Sequence, residues 1–109
     1  IQMNSKERIK QVTDRVCAML QEKNEAYGDS ALNPVNIFSK GGASQSLRAR
    51  IDDKLSRIKN VGINDETEDT LFDLCGYLVL LIIAEEDKVN NINVTYTTVE
   101  SDETFRFGG

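Results

Sequence analysis

The chain has 109 residues, enough for one compact domain with one core and no separate cofactor domain. Thirteen Lys and Arg stand against eighteen Asp and Glu, a net charge of −5, which leaves no general cationic surface for duplex nucleic acid. The absence of histidine removes Cys/His zinc sites and both Ser-His-Asp and Cys-His nucleophilic machinery, so acid–base chemistry falls to carboxylates, Lys, Arg and Tyr.

The first predicted element is a helix over Asn4 to Tyr27, where Ile9, Val12, Val16, Met19 and Leu20 recur at three- and four-residue steps. Asn4 with Glu7 three residues later makes a capping box, and Gly28 offers a C-terminal stop. From Gly28 to Ala43 the pattern breaks into a loop, punctuated by Asn33-Pro34 and Gly41-Gly42 and anchored by the apolar pair Ile37-Phe38. A second helix runs from Ser44 to Lys59, with Leu47, Ile51, Leu55 and Ile58 on one side and Arg50, Asp53, Lys54 and Arg57 on the other.

A short connection through Gly62 predicts that the second and third helices are antiparallel neighbours. The third, capped by Asp65 or Thr67, runs to Lys88, and its segment Leu74 to Ala84 is apolar on every side. Such a helix must be covered all round, which in so small a chain implies a homo-oligomer, a dimer or tetramer. After Lys88, Ile92, Val94 and Tyr96 alternate with polar residues and Thr104 to Phe107 forms a second short run, the pattern of a small β-hairpin. The expectation is a mainly α fold: a three-helix bundle completed by oligomerisation over residues 1–88, with a C-terminal β-hairpin or tail over 89–109. The longest apolar run, Tyr77 to Ala84, is far short of the roughly 20 residues that span a bilayer, and no signal-peptide pattern opens the chain. A cytoplasmic protein with no membrane partner is expected.

Chemistry concentrates on the third helix. Glu66, Asp69 and Asp73 fall at i, i+3 and i+7 and so share a face. Acidic residues in a first turn also complement the helix dipole, an ordinary reason for Glu66, Glu68 and Asp69. Asp73 lies beyond that turn among Leu71, Phe72, Leu74 and Cys75, where its charge needs either a metal or a cationic partner such as Arg50, Lys54 or Arg57. Asp53 on the second helix could face these carboxylates and complete an oxygen-only cage, a donor set suited to Mg²⁺ or Mn²⁺. Arg50, Lys54 and Arg57 form a stripe fit for phosphate, or equally a solvated charged face. Lys23, Asn24, Tyr27, Asp29 and Ser30 add hydrogen-bonding groups and an aromatic ring for a base or sugar, and Gly41-Gly42 could bring backbone N–H groups to a phosphate.

Three strings, KNEAYGDSALNP (Lys23 to Pro34), RIDDKLSRIKN (Arg50 to Asn60) and EDTLFDLCGY (Glu68 to Tyr77), resemble the signature blocks of the phage and bacterial family called nucleotide modification associated domain 1, itself similar to the MazG-like all-α NTP pyrophosphatases. The resemblance spans Lys23 to about Ala84. It implies an oligomeric all-α body that binds a nucleotide and Mg²⁺ between helices and cleaves between the α- and β-phosphates. Asp52-Asp53 lies where the first metal-binding pair of the MazG-like motif would be and Ser56 replaces that motif's third carboxylate; on the other helix Glu66 with Asp69 satisfies the E-x-x-D motif by spacing, while the family block favours Asp69 with Asp73. The expected activity is therefore an Mg²⁺-dependent nucleotide pyrophosphohydrolase, phage-associated and acting on a canonical or modified nucleotide. Asp53, Asp69 and Asp73 would hold metal, and Asp53, Asp73 and Lys54 would carry catalysis. Lys23, Asn24, Tyr27, Asp29, Arg50 and Arg57 would bind substrate. The alternative, motivated by Ser56, is a protein that binds or sequesters a nucleotide or nucleotide-derived signal without cleaving it.

Overall fold

A computed structural model describes the backbone of residues 3–63 and 68–96, and the side chains of those residues except 68–69 and 91–96. Three helices follow one another: α1 (Ser5–Ala26), α2 (Ala43–Val61) and α3 (Glu68–Tyr96). The capping box opens α1 as expected: the Glu7 N–H donates to Asn4 Oδ1 at 2.8 Å and the Asn4 N–H donates to Glu7 Oε1 at 3.0 Å. Gly28, at φ 64°, ends the helical path, and Gly62, at φ 76°, does the same for α2.

Antiparallel packing of α2 on α3 is visible in its partners: Ser44 meets Glu85 at one end while Lys54 meets Asp73 at the other. Leu47, Leu80 and Ala84 form the buried centre, with Leu20, Ala31, Leu32, Tyr77 and Leu81 packed around it. Of the α1 stripe only Val16 is buried; Ile9 is 65 % exposed and the helix touches α3 through its second half. That crossing is close because residue 76 has no side chain. A Cβ there would stand 3.2 Å from Leu20 Cδ1. Gly76→Val is therefore expected to push α1 from α3 at a cost of about 1–3 kcal/mol. In a domain of this size that lowers the melting temperature by roughly 5–20 °C, as a thermal melt followed by circular dichroism will show.

Three expectations change. The loop is held by Ala31 and Leu32, not by Ile37-Phe38: Phe38 is 95 % exposed and Ile37 69 %. The reason is a turn closed next to α1, where the Asn33 N–H donates to the Asp29 carbonyl at 3.0 Å, so that Leu32 reaches the helices first. Secondly, α3 continues to Tyr96, so residues 92–96 are helical where the first hairpin strand was expected. Val89, Ile92 and Tyr96 also stand at i, i+3 and i+7, and no Gly or Pro interrupts them, so the helical period wins over a three-residue alternation. The rest of the hairpin, residues 97–109, lies outside the described residues, as do the caps expected at Asp65 or Thr67. Thirdly, α2 is rotated so that Arg50 and Lys54 share the face that packs on α3, while Leu55 is 49 % exposed. No helix among the described residues is long and apolar enough to cross a membrane.

Candidate functional site

Where α1 crosses the α2–α3 pair, the helices leave a cleft of about 400 Å³, within the size range of small-molecule sites. Met19, Leu20, Gly76 and Leu80 supply apolar surface; Lys23, Asn24, Tyr27, Ser30, Arg50, Asp73 and Tyr77 supply the polar groups. Leu20 packs directly against Gly76, and α1 ends at the cleft edge, which places Tyr27 and Ser30 in the turn that follows.

Asp73 is the electrostatic centre. Its Oδ1 accepts from Lys23 Nζ at 2.9 Å and its Oδ2 lies 3.3 Å from Lys54 Nζ, so one carboxylate ties α3 to both α1 and α2. Burial pushes the Asp73 carboxyl up, but the hydrogen bonds and charges of Lys23 and Lys54 outweigh it and hold the group below the usual carboxylate range. Lys23 moves the opposite way, raised chiefly by its hydrogen bond to Asp73. Arg50 stacks over the ring of Tyr77, with its guanidinium carbon 5.9 Å from the ring centroid, and no carboxylate pairs with it among the described residues. The cleft thus carries two cations, Lys23 and Arg50, against one carboxylate, which Lys54 also meets.

A depressed carboxylate stabilises the fold fully above its ordinary pKa and loses that contribution as pH falls through the lowered value; a raised lysine contributes below its ordinary pKa and loses it as pH rises past the raised one. Lys23 and Asp73 together therefore predict a plateau of stability from about pH 4 to about pH 10, with an acid limb below it. Melting temperatures measured from pH 3 to pH 7 should show that limb flattened in Asp73→Asn.

Of the expected site residues, Lys23, Asn24, Tyr27, Arg50 and Asp73 come together in the cleft, and Lys54 joins through Asp73. The pairing of Asp73 with Lys54 is one of the alternatives left open by the sequence; Lys23 as second partner was not foreseen. Asp29 stands behind the cleft wall, where it accepts from Asn24. Asp53 and Arg57 are exposed on α2 and do not line the cleft. Asp69 lies on α3 one turn before Asp73, and its side chain is outside the described residues, as is Glu66. Gly41 and Gly42 border a separate depression with Arg48 and Lys88, away from Lys23. Tyr77 is the site residue that sequence reasoning missed, although it closes the third signature block.

Among the described residues no three Asp, Glu, Cys or His side chains converge as a metal centre would require. Both oxygens of Asp73 face ammonium groups. A further network was not legible from the sequence: the Ser44 hydroxyl donates to Glu85 Oε2, which also meets Arg48 at 3.3 Å and Lys88 at 3.5 Å. It joins the start of α2 to α3 and holds the Glu85 carboxyl below its usual range, first through Ser44. No family model, curated protein or solved structure matches this chain.

Proposed function

We propose that the chain binds a nucleotide in the cleft, with its phosphates toward Lys23 and Arg50 and its nucleoside toward Asn24, Tyr27 and Tyr77. The observation that carries the reading is the convergence of two cations, Lys23 and Arg50, two tyrosines and an amide in one cleft with apolar walls. Phosphate needs cationic donors, a base needs an aromatic or apolar face, and both must lie within a nucleotide's length. The resemblance to nucleotide modification associated domain 1 and the MazG-like enzymes supports the same reading. Binding without cleavage suits the observed Asp73, whose oxygens are both engaged by lysines.

A second reading, Mg²⁺- or Mn²⁺-dependent pyrophosphohydrolysis, is favoured by Asp69 and Asp73 standing one turn apart on a single continuous helix. The two separate cleanly when the protein is incubated with Mg²⁺ and a panel of canonical, modified and cyclic nucleotides, and bound and released species are resolved by mass spectrometry. Intact nucleotide recovered only after denaturation supports binding; monophosphate plus pyrophosphate, lost in EDTA, supports the enzyme. No nucleotide in either fraction would sink both.

We further propose that a second copy covers α3. Leu71, Leu78 and Ile82 stand at i, i+7 and i+11 and are 39 %, 45 % and 40 % exposed, with Val79 beside them at 40 %. The setting we propose is the cytosol of a bacterium or of its phage-infected host.

A further inference from the structure

The amide of Asn24 is not free to turn, and this bears on which nucleotide the cleft accepts. Asn24 lines the cleft, and its Nδ2 donates to Asp29 Oδ1 at 3.1 Å. The other carboxylate oxygen of Asp29 accepts from Asn33 Nδ2 at 2.6 Å. Asp29 is itself fixed by the backbone. It follows Gly28 in the left-handed region at φ 61°, its N–H donates to the Asn24 carbonyl at 2.9 Å, and its carbonyl accepts from the Asn33 N–H. A carboxylate only accepts hydrogen bonds, so Asn24 must present its NH₂ group to Asp29. Its carbonyl oxygen Oδ1, to which no described residue donates, is then the atom left for a ligand.

We infer that Asp29 is a positioning residue that sets the polarity of Asn24, so that the cleft selects nucleotides offering an N–H or O–H donor from the nucleoside half. The inference rests on the nucleotide reading above and adds its selectivity. The donor has two sources, an N–H on the base or a hydroxyl on the sugar, and Asn24 Oδ1 would accept either. Replacing Asp29 by Asn keeps the shape and the backbone turn but supplies an amide that can donate toward Asn24. Asn24 is then able to rotate and show its NH₂ group to the cleft, and the preference for a donor disappears.

The test uses the four common nucleoside 5′-triphosphates in EDTA, with affinities measured by calorimetry. The tightest binder is compared with analogues that each lack one donor: the base N–H removed or methylated, the 2′-hydroxyl absent, the 3′-hydroxyl absent. Loss of one hydrogen bond should cost one analogue about tenfold in the native protein, and which analogue loses it tells base from sugar. In Asp29→Asn the same comparison should fall below about threefold. Asn24→Ala, which removes the acceptor but keeps the bond from the Asp29 N–H to the carbonyl of residue 24, should also level the series. The inference is overturned if no analogue loses more than about twofold in the native protein, or if the discrimination survives in Asp29→Asn. Binding without discrimination removes this inference alone, whereas no binding by any triphosphate removes the nucleotide reading and this inference with it.

Discussion

Lys23→Ala is expected to weaken nucleoside triphosphate binding by about 10- to 100-fold, because a hydrogen bond between a charged donor and a phosphate is worth roughly 1.5–3 kcal/mol. Arg50→Ala should fall in the same range, and Arg50→Lys should not restore it. The guanidinium stacks on Tyr77 and presents a planar fork, whereas an ammonium is a compact point charge. Lys10 is the matched control: it pairs with Asp14 at 2.7 Å on an exposed stretch of α1, and Lys10→Ala should change the affinity by less than about twofold. Calorimetry decides the matter, with a thermal melt beside it because Lys23 also holds Asp73. Equal affinity for Lys23→Ala and the native protein would move the phosphates elsewhere.

The largest effect on assembly should come from Leu78→Glu with Ile82→Glu. Each carboxylate would enter the centre of the apolar stripe on α3, where an unpaired charge costs several kcal/mol once covered. The self-association constant should drop by about a thousandfold or more, which turns an oligomer into a monomer at micromolar protein. Light scattering after size-exclusion chromatography measures the mass directly. Ile9 and Val12, exposed at 65 % and 41 %, lie on the free half of α1 and offer a second pair of positions should the α3 variant retain its mass. A native protein that runs as a monomer would remove the proposed second copy altogether.

Local signals carried much of the fold. The Asn4–Glu7 box and the glycines at 28 and 62 act over a few residues, and each appears where its chemistry places it. Rotation of a helix about its axis is a different matter. Successive residues on α2 differ by roughly 100°, so Arg50, Asp53, Lys54 and Arg57 read as one stripe. Of these only Arg50 lines the cleft, while Lys54 pairs with Asp73, a residue far along the chain. Asp73 was marked by its apolar neighbours, yet the identity of its partners depends on how α1 and α2 cross α3. Ile37-Phe38 and Ala31-Leu32 are equally apolar on paper, and only the turn closed by Asp29 and Asn33 selects between them. Lys23, Asn24 and Tyr27 lie within one turn or so of each other, whereas Asp53, Asp69 and Asp73 require two helices in a defined rotation.

The shallow attachment of α1 has a further consequence. Only Val16 of that helix is buried, yet α1 and its C-cap carry Lys23, Asn24 and Tyr27, while Arg50 and Tyr77 belong to the other two helices. A ligand that spans the cleft would therefore act as a structural member as well as a guest. Its binding energy would be shared between recognition and the docking of α1, by mass action on the assembled form. The helix would hold its place most firmly when the cleft is full, so the nucleotide content of the surroundings would be written into the stiffness of the whole bundle.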